Sequence, residues 1–501
     1  MIQIVCKSEA YTYNVYHIVK AFFPSEETIS KVEEKASHYV MVRLPDQREI
    51  VVVKEQAEIS EAGSINEDGT SCGAVQTLEE RRIKYWIDVR LYHELQRITG
   101  RSLAWGILTG VRPVKIAMEK AEAGWTKEQF VPWFQQDCLV SREKAGLSWE
   151  IAKREQKLLG RLDYEAGYSL YVGIPFCPTV CTYCSFSSGA LSDWADRVED
   201  YLTALMKELT FVGGRYKKRR LNTIYIGGGT PTTLTASQLE RLLACIDAHF
   251  SRDYLLEYTV EAGRPDSISE DKLAVLRSHG ITRLSINPQS MQQKTLDLIG
   301  RKHQTGEIVE AFHLARSLGF DNINMDLIAG LPGENVRDME DTLRQICKLG
   351  PDSLTVHSLA IKRAAKMEWA DLHRDTEEIS ETLSGMIARS EEAASQMGLL
   401  PYYLYRQKNI AGNFENVGYA RADKMGIYNV LIMEEKQTII AVGAGASTKL
   451  ILKEAVPMPG SKKKKLTYLM RSENVKAIDA YIDRIDEMIE RKSRLPDNET
   501  G

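Results

Sequence analysis

The sequence predicts an α/β protein in which six parallel βα units curl into a partial (β/α)6, TIM-like barrel. An α+β domain precedes the barrel and an α+β extension follows it. Three observations predict this. Between about residues 166 and 400, β-branched and aromatic runs alternate with helical patterns, one unit per roughly thirty to forty residues, as parallel βα connections require. The distinctive motifs fall at or near the carboxyl ends of those runs, where the loops of such folds gather their ligands. The flanking segments, 1–165 and 401–501, lack the alternation.

In chain order, MIQIVCK and REIVVVKEQ are β-like and flank a helix, and TLEERRIKYWIDVRLYHELQRITG is a long amphipathic helix. WGILTGVRPVKIAMEKAE opens a helix from a Gly/Pro turn. YSLYVGI (168–174) is the first barrel strand and leads into a cysteine loop, while NTIYI (222–226) is the second and enters GGGTPTTL. Thr235 and Gln238 are spaced as a capping box for the helix TASQLERLLACIDAHF. LEYTVE (256–261), TRLSIN (282–287), NINMDLIA (322–329) and DSLTVHSLA (352–360) are the other four strands, with helical patterns between them. After residue 401, PYYLYR, GIYNVLIME and QTIIAVG read as strands, GAGAS (443–447) as a tight turn and Lys462–Lys465 as a solvated loop, before a final charged helix. The expected domains are therefore 1–165, an accessory domain; 166–400, the barrel; and 401–501, an extension covering it.

With 43% apolar and 27% charged residues, the 501-residue chain has the composition of a globular protein of two or three domains. A formal charge of −4 argues against a general nucleic-acid binder. The start lacks the basic-then-apolar plan of a secretion signal, and no run of eighteen apolar residues offers a membrane span. A cytoplasmic monomer with no membrane partner is expected, its eight cysteines reduced. Cys6, Cys72, Cys138, Cys245 and Cys347 stand alone and suit small buried positions. Cys177, Cys181 and Cys184 instead form C-x3-C-x2-C.

Three thiolates so placed can hold three irons of a 4Fe–4S cube and leave the fourth open, as catalytic zinc keeps a vacant position. A zinc site is an alternative, but it wants a fourth Cys or His that the loop lacks. A redox pair of Cys181 and Cys184 would leave Cys177 idle. GGGTP (227–231) offers a ligand backbone unobstructed by Cβ atoms.

C-x3-C-x-aromatic-C after the first strand resembles the radical S-adenosylmethionine (SAM) superfamily. Tyr171-Val-Gly-Ile-Pro-Phe-Cys is similar to the oxygen-independent coproporphyrinogen III oxidase family within it, and WGILTGVRP with the region before 165 resembles that family's long, HemZ-type branch. The resemblance covers roughly residues 166–450. It implies a radical SAM barrel with a 4Fe–4S cluster on Cys177, Cys181 and Cys184, and SAM chelating the open iron and cleaved reductively to a 5′-deoxyadenosyl radical. It implies SAM contacts at Gly228, Gly229, Thr230, Glu261 and Gln289. Arg301 is suited to the methionine carboxylate, and Asp326 and Ile328 to ribose and adenine. Tyr183 and Phe186 are expected beside the cysteines, and Tyr171 near substrate and SAM as a catalytic residue.

The implied activity is oxidative decarboxylation of two propionates of coproporphyrinogen III to vinyls, giving protoporphyrinogen IX in haem biosynthesis. An electron donor such as flavodoxin or ferredoxin is implied as a partner. A tetrapyrrole with four carboxylates wants cations, for which His357, Lys362, Arg363 and Arg406 are candidates. Two other functions fit the same fold: a haem-trafficking protein and a tRNA-modifying radical SAM enzyme. Haem-binding relatives carry His-Asn and then Tyr-Trp where this chain has Glu415 and Ala420, and an RNA-modifying enzyme would carry a basic RNA-binding module. The chain also departs from the family pattern after Glu261, where Gly263-Arg264-Pro265 replaces Asn or Asp followed by Pro. Ser185-Phe186-Ser187 stands where some relatives have a further cysteine.

Overall fold

The computed structural model describes residues 1–24, 26–53, 78–110, 112–186, 188–361, 365–367, 376–406, 414–457 and 466–496. Cys72, Lys362, Arg363 and the Lys462–Lys465 run lie outside the described residues.

The first hundred residues build a core of their own. Strands β1 (Ile2–Cys6), β2 (Thr28–Val32), β3 (Val40–Arg43) and β4 (Glu49–Val52) form a sheet in the order β2-β1-β3-β4. Helices α1 (Glu9–Phe22) and α2 (Leu78–Thr99) supply Val15, Val19, Ile87 and Leu91 to a cluster with Ile2, Ile4 and Val42. Helices α3 (Val114–Glu122), α4 (Lys127–Cys138) and α5 (Arg142–Leu159) pack differently: Ala117, Phe130, Phe134 and Ile151 belong to the same core as the barrel.

The barrel starts at β5 (Gly167–Ile174), which is followed by the short pair β6 (Phe176–Cys177) and β7 (Gly189–Ala190), then helices α6 (Leu191–Trp194) and α7 (Val198–Arg215). Alternation then carries the chain through β8 (Arg220–Gly228), α8 (Ala236–His249), β9 (Glu257–Gly263) and α9 (Glu270–Ser278). It continues through β10 (Arg283–Ile286), α10 (Gln293–Leu298), α11 (Thr305–Ser317), β11 (Ile323–Ala329), α12 (Val336–Leu349), β12 (Ser353–Ser358) and α13 (Thr376–Gln396). Thr235 caps α8 and Gln238 returns the bond, the capping box that the sequence predicts. β5, β8, β9, β10, β11 and β12 are parallel neighbours in that order, so the six expected βα strands form the barrel wall.

Strand parity decides what faces inward. Ile224, Ile226, Tyr258, Val260, Leu284, Ile286, Met325 and Leu327 point outward and are sealed in the apolar core. Their neighbours Tyr225, Thr259, Glu261, Ser285, Asn324 and Asp326 line an interior cavity. Successive side chains on a strand point to opposite faces, so a polar residue at every second position produces a polar lumen.

The C-terminal region works on both edges of this sheet. β13 (Leu400–Arg406) and β14 (Glu415–Ala420) add antiparallel strands beyond β12. At the other edge β15 (Thr438–Val442) runs parallel to β5, a seventh parallel strand, and β16 (Ser447–Pro457) and β17 (Leu466–Glu473) follow antiparallel. α15 (Ile478–Asp483) and α16 (Ile485–Ser493) pack on α7. There buried Glu208 accepts from Gly443 N (2.9 Å), Asn474 Nδ2 (2.9 Å) and Tyr481 Oη (2.6 Å) and pairs with Lys492 (2.8 Å).

One element is corrected. GIYNVLIME is a helix, α14 (Ile427–Glu434), where its apolar content reads as a strand. The reason is tertiary: the Glu257 carboxylate of β9 accepts from the backbone N–H groups of Ile427 (2.5 Å) and Tyr428 (3.2 Å), capping a helix whose own N-cap, Gly426, has no side chain.

The segment Trp105–Pro113 fastens the N-terminal region to these C-terminal elements. Trp105 Nε1 donates to Glu415 Oε2 (2.8 Å), and Lys144 Nζ lies 2.7 Å from Glu415 Oε1. Arg406 donates to Leu108 O (2.8 Å) while its guanidinium lies over the Trp105 ring, and Arg112 bridges to Met433 O (2.8 Å) and Glu435 (2.8 Å). Among the described residues no helix is long and apolar enough to cross a membrane.

Candidate cluster and cofactor site

One cavity of about 350 Å³ opens at the carboxyl ends of the parallel strands, and Cys177, Cys181 and Cys184 all line it. The loop that carries them is fixed from three sides. Thr182 N donates to Ile299 O (3.1 Å), the backbone N–H groups of Lys366 and Met367 donate to Thr182 O (3.0 Å each), and Cys184 N closes a turn on Cys181 O (3.1 Å). From below, Thr230 N donates to Phe176 O (2.7 Å) and Gly229 N to Ile174 O (2.7 Å). Glycine is required at that contact, because a Cβ on Gly229 would meet Phe176 O at 2.6 Å, and Gly228 holds φ +112°. The GGGTP turn thus braces the cysteine loop from below.

The chemistry of this set suits a polynuclear cluster. Three thiols face one cavity, and three thiolates can hold three irons of a 4Fe–4S cube while leaving the fourth open. Burial pushes the Cys177 and Cys184 thiols up, so coordination must displace their protons.

Arg301 carries the strongest electrostatic signal. Its guanidinium is buried, donates to Asn287 O (2.5 Å) and Tyr183 Oη (3.4 Å) and lies beside the Cys181 thiol, and its Nε has no acceptor among the described residues. A buried cation without a carboxylate wants an anion in the space it faces. Gln289, held in the left-handed region (φ +66°) by Gln289 N to Asp326 O (2.9 Å) and Ile328 N to Gln289 O (2.9 Å), likewise presents a buried Oε1 with no donor among the described residues. Both unsatisfied groups line the cavity.

Two carboxylates that line the same cavity titrate in opposite directions. Burial pushes Glu261 up to about 7, although Tyr225 Oη donates to its Oε1 (2.5 Å). Burial also raises Asp326, but His357, Asn324 Nδ2 (2.7 Å) and Thr355 outweigh it and hold that carboxyl below the usual range. His357 Nε2 lies 3.8 Å from Asp326, and its Nδ1 is 3.1 Å from Tyr405 Oη.

Of the residues singled out from sequence, the three cysteines, Tyr183, Phe186, Gly228, Gly229, Thr230, Glu261, Gln289, Arg301, Asp326, Ile328 and His357 share this one cavity. Tyr171 does not line it. Its ring stacks behind Tyr225 (6.2 Å) and Tyr428 (6.4 Å). Arg406, offered as a cation for substrate, is spent on Leu108 O and Trp105 in the seam described above, away from the cavity. Sequence reasoning missed Tyr225, Arg283, Tyr403 and Tyr405, which also line the lumen. Tyr403 and Tyr405 alternate along β13 with the parity opposite to Arg406, and Tyr225 alternates with outward-facing Ile224 and Ile226.

Comparison with known proteins agrees with this geometry. The model of the radical SAM superfamily matches residues 171–346. The chain is 41% identical over 446 residues to the oxygen-independent coproporphyrinogen-III oxidase-like protein HemZ of Bacillus subtilis (strain 168), covering 87% of each chain. It therefore belongs to the radical SAM superfamily and, within it, to the family of that HemZ protein. It is also 37% identical over 196 residues to the haem chaperone HemW of the same organism, spanning 39% of this chain and 51% of that one. In structure it resembles the coproporphyrinogen III oxidase HemN of Escherichia coli, a radical SAM enzyme, with a TM-score of 0.51 at 23% identity over 66% of this chain and 72% of that one, a likeness of fold. Members of the superfamily bind a 4Fe–4S cluster and SAM.

Proposed function

We propose that the protein catalyses oxidative decarboxylation of the propionates of coproporphyrinogen III to vinyls, giving protoporphyrinogen IX. One observation carries this reading: three thiols, a buried cation with no carboxylate partner among the described residues and two differently titrating carboxylates converge on a single cavity. When bound and reduced, the cluster with SAM supplies a 5′-deoxyadenosyl radical. The chain's own residues do the rest. Cys177, Cys181 and Cys184 would hold the cluster, the bare backbone of Gly228–Gly229 and the Glu261 carboxylate would receive the SAM ammonium, and Arg301 would pair with its carboxylate. Asp326 and Ile328 would take ribose and adenine, with Tyr183 packed against the cysteine loop. Each propionate would give up a hydrogen atom from its β-carbon, taken up as 5′-deoxyadenosine, then release carbon dioxide and pass one electron to an external one-electron acceptor. Arg283 would offer positive charge, and His357 a hydrogen-bonding ring, to the substrate's carboxylates from the cavity wall.

A haem-carrying role is the competing reading, favoured by the likeness to HemW. Position 415 weighs against it, because the Glu415 carboxylate is buried and already bound by Trp105 and Lys144. Anaerobically reconstituted protein, reduced and supplied with SAM and coproporphyrinogen III, is expected to yield mono- and divinyl products by mass. SAM cleavage without vinyl product overturns the assignment, and stoichiometric haem uptake without turnover would favour the competitor.

A further inference from the structure

Arg264 stands in the stretch where this chain leaves the family pattern, and its side chain is only 3% exposed. Nε and Nη2 fork onto Asp266 (2.9 and 2.6 Å). Nη1 donates to both the carbonyl (3.1 Å) and the hydroxyl (2.6 Å) of Thr179, midway between Cys177 and Cys181. The Thr179 hydroxyl in turn donates to Gly300 O (3.0 Å), beside Arg301. One guanidinium therefore joins the end of β9, the cysteine loop and the loop after α10, and it faces the same cavity as the thiols.

We propose that Arg264 is a positioning residue of the cluster loop that also sets the cluster's reduction potential, its buried positive charge favouring the reduced form. Reduction adds one negative charge to the cluster, and a fixed cation in a poorly solvated wall stabilises the more negative state. Asp266, one quarter exposed, offsets that charge only in part. The two residues consequently pull the potential in opposite directions, which a purely mechanical brace would not do. The inference rests on cluster binding alone and not on the identity of the tetrapyrrole.

The test is a redox titration of reconstituted protein followed by electron paramagnetic resonance, without tetrapyrrole, so that failure of the coproporphyrinogen assignment leaves it intact. At the ambient potential that half-reduces the native cluster, Arg264→Gln is expected to show about tenfold less reduced relative to oxidised cluster, a fall of about 59 mV for a one-electron couple. Asp266→Asn is expected to raise the potential. Arg264→Lys keeps the charge but cannot bridge Asp266 and Thr179 together, and should fall between native protein and Arg264→Gln. Unchanged potentials, or Gln and Asn variants moving in the same direction, would overturn the proposal. If Arg264→Gln takes up no iron, a potential in Asp266→Asn at or below the native value does so.

Discussion

Replacing Lys144 by methionine removes the cation that lies 2.7 Å from Glu415. The Lys144 side chain is 6% exposed and that of Glu415 0%, so the carboxylate would stay buried with the Trp105 N–H and the more distant Arg406 charge to offset it. Breaking one partner of a buried ion pair costs about 3–5 kcal/mol, mostly as desolvation of the charge left behind. Removing both charges costs far less, so Lys144→Met combined with Glu415→Gln should recover at least about 2 kcal/mol of that loss. The damage should be local as well as global. Glu415 O accepts from Ser358 Oγ (2.9 Å), and Asn416 binds Ser358 N (2.8 Å) and Tyr405 O (3.1 Å), so the pair supports the wall that carries His357 and Tyr405. Urea denaturation of the two single variants and the double, with hydrogen exchange over residues 355–360 and 401–406, measures both effects. A Lys144→Met loss under about 1 kcal/mol, or a double variant as weak as the sum of the singles, would refute the reasoning.

Further outcomes follow from the same site. Glu261 binds its proton up to about pH 7 when folded but only to about 4.5 when unfolded, so its contribution is fully present below about pH 4.5 and is lost as pH rises through about 7. Over that window it amounts to at most ~3 kcal/mol; Glu261→Gln should flatten the decline and become the more stable form above pH 7, and parallel urea midpoints would contradict this. Gly229→Ala drives a Cβ against Phe176 O and should cost about 1–3 kcal/mol and reduce iron uptake, read by thermal denaturation and iron content. Alanine at Cys177, Cys181 or Cys184 should each abolish the cluster, and a variant that keeps native iron content would remove that cysteine from the ligand set.

Much of the barrel is legible in the sequence because the signals there are local. NINMDLIA states its own parity, with Met325 and Leu327 outward and Asn324, Asp326 and Ile328 inward, and Thr235 and Gln238 announce a helix start within four residues. The cysteine spacing is local too, and the residues that share its cavity sit at strand ends. What escapes is set by distant partners. GIYNVLIME becomes helical because Glu257, far upstream, caps it; Arg406 leaves the substrate's reach because Leu108 and Trp105 claim it; Tyr171 sits behind Tyr225 because Tyr428 completes the stack. Arg264 shows in the sequence only as a departure from the family pattern, since its contact lies at Thr179, far upstream.

β15 lies against β5, the strand that leads directly into Cys177, with Thr438 beside Tyr168. Gly443, just past β15, packs so tightly on Gly173 that a Cβ there would meet its carbonyl oxygen at 2.5 Å. A ribosome makes β15 long after β5, so until then the strand behind the thiols has a bare edge. A product terminated before residue 438 would be built without the seam that backs its cysteine loop.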